Sequence, residues 1–216
     1  MQRSNRSSVS LRHWISNLEP GSTECASGSR PYQAAVGPNR LVGAAHGDTV
    51  DKFHGVTAGR YRQIHAFEPT PGQYRALSPR AESDARIRTF QSAVGDSSVP
   101  ITFYENEGNP FGSNALVQNG RRIEVPCTRL DDVVERCTII KMDVEGAECR
   151  VIRGAARLIR ESRPDMAITC YHYPQDMHEI LELVAETHRY RHIALRHYGP
   201  SLYDSVLLFS DRQSFE

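Results

Sequence analysis

The run TIIKMD at residues 138–143 constrains the fold more than any other segment. β-Branched residues in an unbroken apolar run that ends in a polar turn read as a buried strand. Directly after it, residues 146–162 place Ala147, Val151, Ala155, Leu158 and Ile159 at helical spacing, and Pro164 stops that helix. The same alternation of strand and helix runs from residue 40 onward. Residues 64–67 read as a strand, Pro71–Leu77 as a short helix, and 88–94 and 101–104 as strands. Residues 166–171 read as another strand. Residues 175–187 read as a helix with Met177, Ile180, Leu181 and Val184 on one face. The chain closes on strands at 193–196 and 205–209, which no helix separates, so they are expected to pair antiparallel. The pattern predicts an α/β fold with a doubly wound, mostly parallel sheet.

Before residue 40, Ser, Gly, Pro and Asn interrupt nearly every run. Residues 1–39 therefore read as a loosely structured arm with one short helical piece around LRHWIS. The single tryptophan, Trp14, either docks on the body or touches a partner. Residues 40–216 read as one domain, as a chain of 216 residues allows. Lys and Arg number 26 against 26 Asp and Glu. That balance removes the general attraction to nucleic acid and to anionic membranes, and neither is expected as a partner. No apolar run approaches the roughly 20 residues that span a bilayer. The first residues lack the apolar stretch of a secretory signal. The five cysteines are widely spaced and contain no CxxC pair, so reduced thiols in a cytoplasmic protein are expected, and no zinc ribbon.

In a doubly wound sheet, ligands bind beyond the carboxyl ends of the strands. Four segments stand there. In VGAAHGDT, residues 42–49, small residues let the backbone approach a ligand, and Asp48 and Thr49 open the next helix; a plain turn has the same composition. In AFEP, residues 66–69, Glu68 can accept hydrogen bonds from both hydroxyls of a ribose, or it can cap the following helix, and Pro69 forces the turn. Glu68 follows the glycine turn by roughly 20 residues, the spacing of a nucleotide-binding βαβ unit. In SAVGD, residues 92–96, small residues suit one wall of an adenine pocket or an ordinary turn. In KMDVEGAE, residues 141–148, three acids crowd the end of the strongest strand. Capping accounts for one of them, but not for a lysine and an aspartate finishing a buried strand.

Taken together, VGAAHGDT, HAFEPTPGQYRAL, QSAVGD and KMDVEGAECRVIRGA resemble the FkbM family of S-adenosylmethionine-dependent methyltransferases. The segments MAITCYHYPQDMHEILEL and IALRHYGPSLYDSVLLF extend the resemblance, which covers residues 40 to 209. It implies a class I methyltransferase fold, a Rossmann-like sheet with an antiparallel last strand. It also implies methyl transfer to an oxygen, commonly a hydroxyl of a sugar or other small molecule. By motif, Gly43, Ala44, Gly47, Asp48 and Thr49 would line the methionine side of the cofactor. Glu68 and Pro69 would meet the ribose, and Ala93 and Val94 would border the adenine. Asp143 and Glu145 would sit at the reaction centre. The family usually carries an acidic residue two positions before the first glycine of the loop; Leu41 stands there in this chain.

Methyl transfer to an alcohol needs alignment of the acceptor oxygen and a group to take its proton. The candidates are His172, which follows the MAITCY strand, His197, which follows IALR, and Asp143. Asp143 suits orientation of the acceptor better than proton removal. With nine histidines in the chain, most must be structural. Asp143, Glu145, Glu148 and His172 also offer hard ligands for a divalent cation. However, 145 and 148 share a helix face while 143 belongs to the preceding strand, and no metal is assigned. The basic cluster from His188 to His192 reads as a solvated edge rather than a subsite for an anionic acceptor. Two functional classes remain: an active O-methyltransferase, or a degenerate copy that keeps the fold as a binding or scaffold module. A nicotinamide oxidoreductase is disfavoured, because no Gly-x-Gly-x-x-Gly follows the first strand. Acceptor choice is expected to lie in loops 105–120 and 198–203.

Overall fold

The computed structural model describes residues 40–43, 48–105, 121–197 and 205–212. The strands are β1 (Arg40–Gly43), β2 (Gln63–Phe67), β3 (Ile87–Phe90), β4 (Ala93–Val94), β5 (Ile101–Glu105), β6 (Arg121–Val125), β7 (Cys127–Thr128), β8 (Ile139–Met142), β9 (Asp165–Thr169), β10 (His192–His197) and β11 (Ser205–Ser210). The helices are α1 (Asp48–Thr57), α2 (Pro71–Leu77), α3 (Pro79–Ser83), α4 (Leu130–Val133), α5 (Glu148–Gly154), α6 (Ala156–Ser162) and α7 (Asp176–Thr187).

Seven strands form one sheet in the order β10-β11-β9-β8-β1-β2-β3. β1 lies parallel to β2 and β8, β2 to β3, and β8 to β9. β11 runs antiparallel to both β9 and β10. From β1 the chain builds outward through β2 and β3, then returns to β1's other side with β8. That reversal places a ligand crevice at the carboxyl ends of β1 and β8.

Both faces of the sheet are covered. On one, Ile140, Met142, Met166, Ile168, Leu207 and Phe209 meet Val151, Ile152, Leu158, Ile159, Ile180 and Val184 from α5, α6 and α7. On the other, Ile64, Ala66, Val206 and Leu208 meet Val50 and Phe53 of α1 and Leu77 of α2. The alternation along β11 assigns Val206 and Leu208 to one core and Leu207 and Phe209 to the other, as the two-residue period of a strand requires. β9 is buried at all five positions, as suits a strand covered by helices on both faces. Each fully buried side chain of this size contributes about 1.5–3 kcal/mol.

Three expectations need correction. The single strand at 88–94 is two. After Phe90 the chain leaves the main sheet, and β4 pairs in parallel with β7. Ser92 Oγ marks the departure: it lies 2.8 Å from the Ala93 carbonyl, 3.1 Å from that of Pro126 and 2.8 Å from Thr128 Oγ1. The single helix at 146–162 is also two. Ala155 leaves the helical region, and Asp131 caps α6 by accepting the N–H groups of Arg157 (3.0 Å) and Leu158 (2.8 Å). Just before the break, a Cβ on Gly154 would stand 1.8 Å from the Gly95 carbonyl oxygen, so only glycine lets the strand end approach α5. Finally, Met177 is exposed. Asp176 is the buried residue at the start of α7, where its carboxylate accepts the Tyr173 N–H at 2.6 Å.

β6, β7, α3 and α4 were not anticipated. β5 and β6 form an antiparallel pair with its own small core of Ala93, Phe103, Val125 and Cys127. The four described cysteines are free thiols. Among the described residues, no helix is long and apolar enough to cross a membrane. The arm at 1–39 with Trp14, residues 106–120 of the first expected acceptor loop and the whole of the second, 198–203, lie outside the described residues.

Candidate active site

β8 delivers its terminal residues to the carboxyl edge of the sheet. Past Met142 the chain turns sharply, with Glu145 at φ 54° and Gly146 at φ 92°. A glutamate in the left-handed region costs about 1–2 kcal/mol, and that cost sits at the crowded end of the strand. The turn brings Glu148, the first residue of α5, back under the strand end. Its side chain is 1% exposed, so it is no solvated cap. Oε1 accepts the Val144 N–H at 3.1 Å and the Thr169 hydroxyl at 3.0 Å. Oε2 is buried with no hydrogen-bond partner among the described residues.

His172 follows β9 and closes the cluster. Nδ1 stands 3.2 Å from Glu148 Oε1, and Nε2 stands 3.5 Å from Glu145 Oε2 and 3.8 Å from Asp143 Oδ1. Neither ring nitrogen is aligned for a hydrogen bond among the described residues. Burial alone would lower the imidazole pKa. The carboxylates of Glu145 and Glu148, with Asp143 behind them, outweigh it and raise the value to about 10. His172 is therefore an imidazolium at neutral pH and already holds the proton that a general base would have to accept. Burial also works against the charged form of Glu148, yet His172 and the Val144 N–H hold its pKa below the usual value. Asp143 lies 3.9 Å from Lys141 Nζ and 3.3 Å from Thr169 Oγ1.

The second part of the edge is built by β1 and β2. Gly43 ends β1 in register with Ala66. Asp48 and Thr49 open α1, and Thr49 Oγ1 is buried with no hydrogen-bond partner among the described residues. Ala44 and Gly47 lie outside the described residues. Glu68, 6% exposed, follows β2 directly. Its Oε1 accepts the Thr70 N–H at 2.8 Å and the Thr70 hydroxyl at 2.7 Å. It thus braces the turn into α2 from a buried position. Pro69 is half-buried beside it. Ala93 and Val94 lie in the small sheet that follows β3, Ala93 buried and Val94 half-buried.

The structure thus gathers Asp143, Glu145, Glu148 and His172, and sets Thr49 and Glu68 on neighbouring elements of the same edge. It does not gather His197. That residue is exposed on the outermost strand, where Nδ1 lies 3.0 Å from Ser205 Oγ. β10 is three strands from β8, about 14 Å at ordinary strand spacing. Thr169 escaped the sequence reading. Inside an apolar strand a lone threonine carries little signal, and only the fold reveals that its hydroxyl joins Met142, Asp143 and Glu148.

A mostly parallel sheet with an antiparallel strand slotted between its last two members, and carboxylates at the ends of β2 and β8, is the α/β arrangement of class I methyltransferases. Residues 42–192 match the methyltransferase FkbM domain family. Methyltransferase 1 of Beauveria bassiana (strain ARSEF 2860) is 27% identical over 153 residues, which cover 57% of this chain and 61% of that protein. The crystal structure of methyltransferase FkbM from Methylobacillus flagellatus KT superposes with a TM-score of 0.65 at 25% identity, covering 79% of this chain and 43% of that one. The chain belongs to the FkbM family of S-adenosylmethionine-dependent methyltransferases, and it spans less than two thirds of the length of either relative.

Proposed function

We propose that the chain is an S-adenosylmethionine-dependent O-methyltransferase acting on a hydroxyl of a sugar or other small molecule. The observation that carries this reading is the convergence of Asp143, Glu145 and His172 at the carboxyl end of β8, next to the nucleotide edge made by β1 and β2. When bound, S-adenosylmethionine supplies a methyl group already activated on a sulfonium. The residues fit that cofactor. Thr49 offers a buried hydroxyl with no partner among the described residues, and Glu68 offers a buried carboxylate at the end of β2. In this role Gly43, Ala44, Gly47, Asp48 and Thr49 hold its methionine part, Glu68 and Pro69 its ribose, and Ala93 and Val94 its adenine.

The chain's own task is to aim the acceptor oxygen and receive its proton. Asp143 is 31% exposed and therefore within reach of a bound hydroxyl. Its carboxylate accepts the hydroxyl hydrogen bond and takes the proton as the new C–O bond forms. His172, as an imidazolium, fixes Asp143 and Glu145 rather than acting as the base. A positioned base of this kind contributes about 10²- to 10⁴-fold. The balanced charge of the chain favours a small acceptor over a nucleic acid. The reading is tested with methyl-labelled S-adenosylmethionine and a panel of sugars, hydroxylated natural products and RNA. Label is expected in an ether of one of the small molecules. A folded chain that binds no S-adenosylmethionine would instead identify the degenerate binding module, for which Leu41 is the motivating residue.

A further inference from the structure

We propose that Asp143, Glu148 and His172 form a binding site for one divalent cation, with Glu145 as the outer carboxylate that holds the ring. One ligand atom from each of the three residues falls within 4.8 Å of the other two. Ligand atoms around a single ion at about 2.1 Å stand roughly 3–4 Å apart, so little movement is needed. The pair already placed fits that spacing: Glu148 Oε1 to His172 Nδ1 is 3.2 Å.

A cluster of acids alone would be a weak argument, but two further observations point to a ligand. Glu148 Oε2 is buried with no hydrogen-bond partner among the described residues, on a side chain that is 1% exposed. A buried, charged oxygen left unsatisfied costs free energy, and a coordinated cation is the group that would satisfy it. His172 is 11% exposed, yet neither ring nitrogen has an aligned hydrogen bond among the described residues, although carboxylates surround it. Bonding of Nδ1 to the ion, which displaces to solvent the proton that nitrogen carries in the cation-free chain, with the Nε2 hydrogen pointing to Glu145 at 3.5 Å, reproduces the common arrangement in which a ligating histidine donates its second N–H to a carboxylate.

Asp143 and Glu145 are 31% and 38% exposed, which leaves the site open on one side. A small hydroxyl compound can enter there as a further ligand, and the cation would polarise that hydroxyl. One imidazole with two carboxylates is a mixed nitrogen and oxygen set suited to Mn²⁺. The use of the cation in catalysis rests on the methyl-transfer reading above; its binding does not.

The test is titration of the chelator-treated full chain with Mn²⁺, followed by the electron paramagnetic resonance signal of the free ion. Saturable binding near one ion per chain is expected. It should weaken by about tenfold or more in Glu148→Gln and in His172→Asn. It should be unchanged in Glu161→Gln, an exposed acid paired with Arg157 on α6. Should Glu148→Gln not fold by circular dichroism, Asp143→Asn gives the same readout from a partly exposed position. Absence of saturable binding up to about 1 mM, the weak end of biological divalent sites, overturns the proposal. So does equal affinity in the folded cluster variants. S-adenosylmethionine binding is measured separately by calorimetry, without metal. Mn²⁺ binding without cofactor binding would remove the methyl-transfer reading and leave the cation site; the reverse result would do the opposite.

Discussion

Two buried glutamates stand at the same edge of the sheet, and they are held in different ways. Glu68 is bound to Thr70, only two residues away, through one backbone and one hydroxyl donor. Glu148 reaches residues 21 and 24 positions on, Thr169 and His172, which arrive on and just after a different strand. The first arrangement forms as soon as the chain turns at Pro69. The second exists only once β8, β9 and α5 are packed together. A locally braced carboxylate suits steady recognition of a ligand. A carboxylate held by long-range contacts, with one oxygen lacking a partner among the described residues, is the kind of place where a fold carries cost for chemistry.

Substitutions can break that contrast, beginning with the largest effect. Glu148→Ala removes one partner of a buried charged pair and strands the His172 imidazolium. It should cost about 3–5 kcal/mol in urea unfolding. A loss under 1 kcal/mol would show that the long-range contacts do not hold the cluster together. Asp143→Asn should leave the unfolding midpoint nearly unchanged and lower methyl transfer about a hundredfold or more, measured as initial rates with labelled cofactor. Glu68→Ala should cost only about 1–2 kcal/mol, since it removes a local brace. It should also weaken S-adenosylmethionine in calorimetry, an effect not expected from Asp143→Asn.

A pH series sharpens the same comparison. The imidazolium of His172 has its pKa raised from 6.5 to about 10. Its stabilisation is complete below pH about 6.5 and is lost as pH rises through about 10. Thermal melts of the chelator-treated chain should therefore fall across that window, and His172→Asn should flatten the fall. The smallest effect is expected at His197. His197→Ala should leave both stability and methyl transfer within error, because the ring is exposed on the edge strand.

Much of this architecture was legible in the residues. The β-branched run at 138–143 and the apolar run at 166–171 are now β8 and β9, and the helix at Pro71–Leu77 has the bounds its proline start and helical spacing suggested. The terminal pair β10 and β11 is antiparallel, as two strands without an intervening helix should be. The placement of Glu68 and Asp143 just past the ends of β2 and β8 was legible as well, because an acid following an apolar run marks where the strand stops. What the residues could not reveal were relations across the fold. The break at Ala155 depends on Asp131 arriving from α4, more than twenty positions earlier. The departure of β4 depends on β7. His172 looked like a free base while its sequence neighbours were Tyr171 and Tyr173. Three carboxylates brought around it by β8 and α5 change its charge. His197 joined His172 as a candidate, the lesser of the two, because both follow apolar runs, and only the strand order shows how far apart they stand.

The central claim is that the carboxyl end of β8 is where a methyl group is transferred. The most direct measurement compares wild type and Asp143→Asn, both shown to be folded, for transfer of labelled methyl from S-adenosylmethionine to the sugar and natural-product panel. The expected result is a labelled ether with wild type, and about one hundredth of that rate or less with the variant. Equal rates in the two proteins, or no transfer and no cofactor binding by the folded wild type, would contradict it.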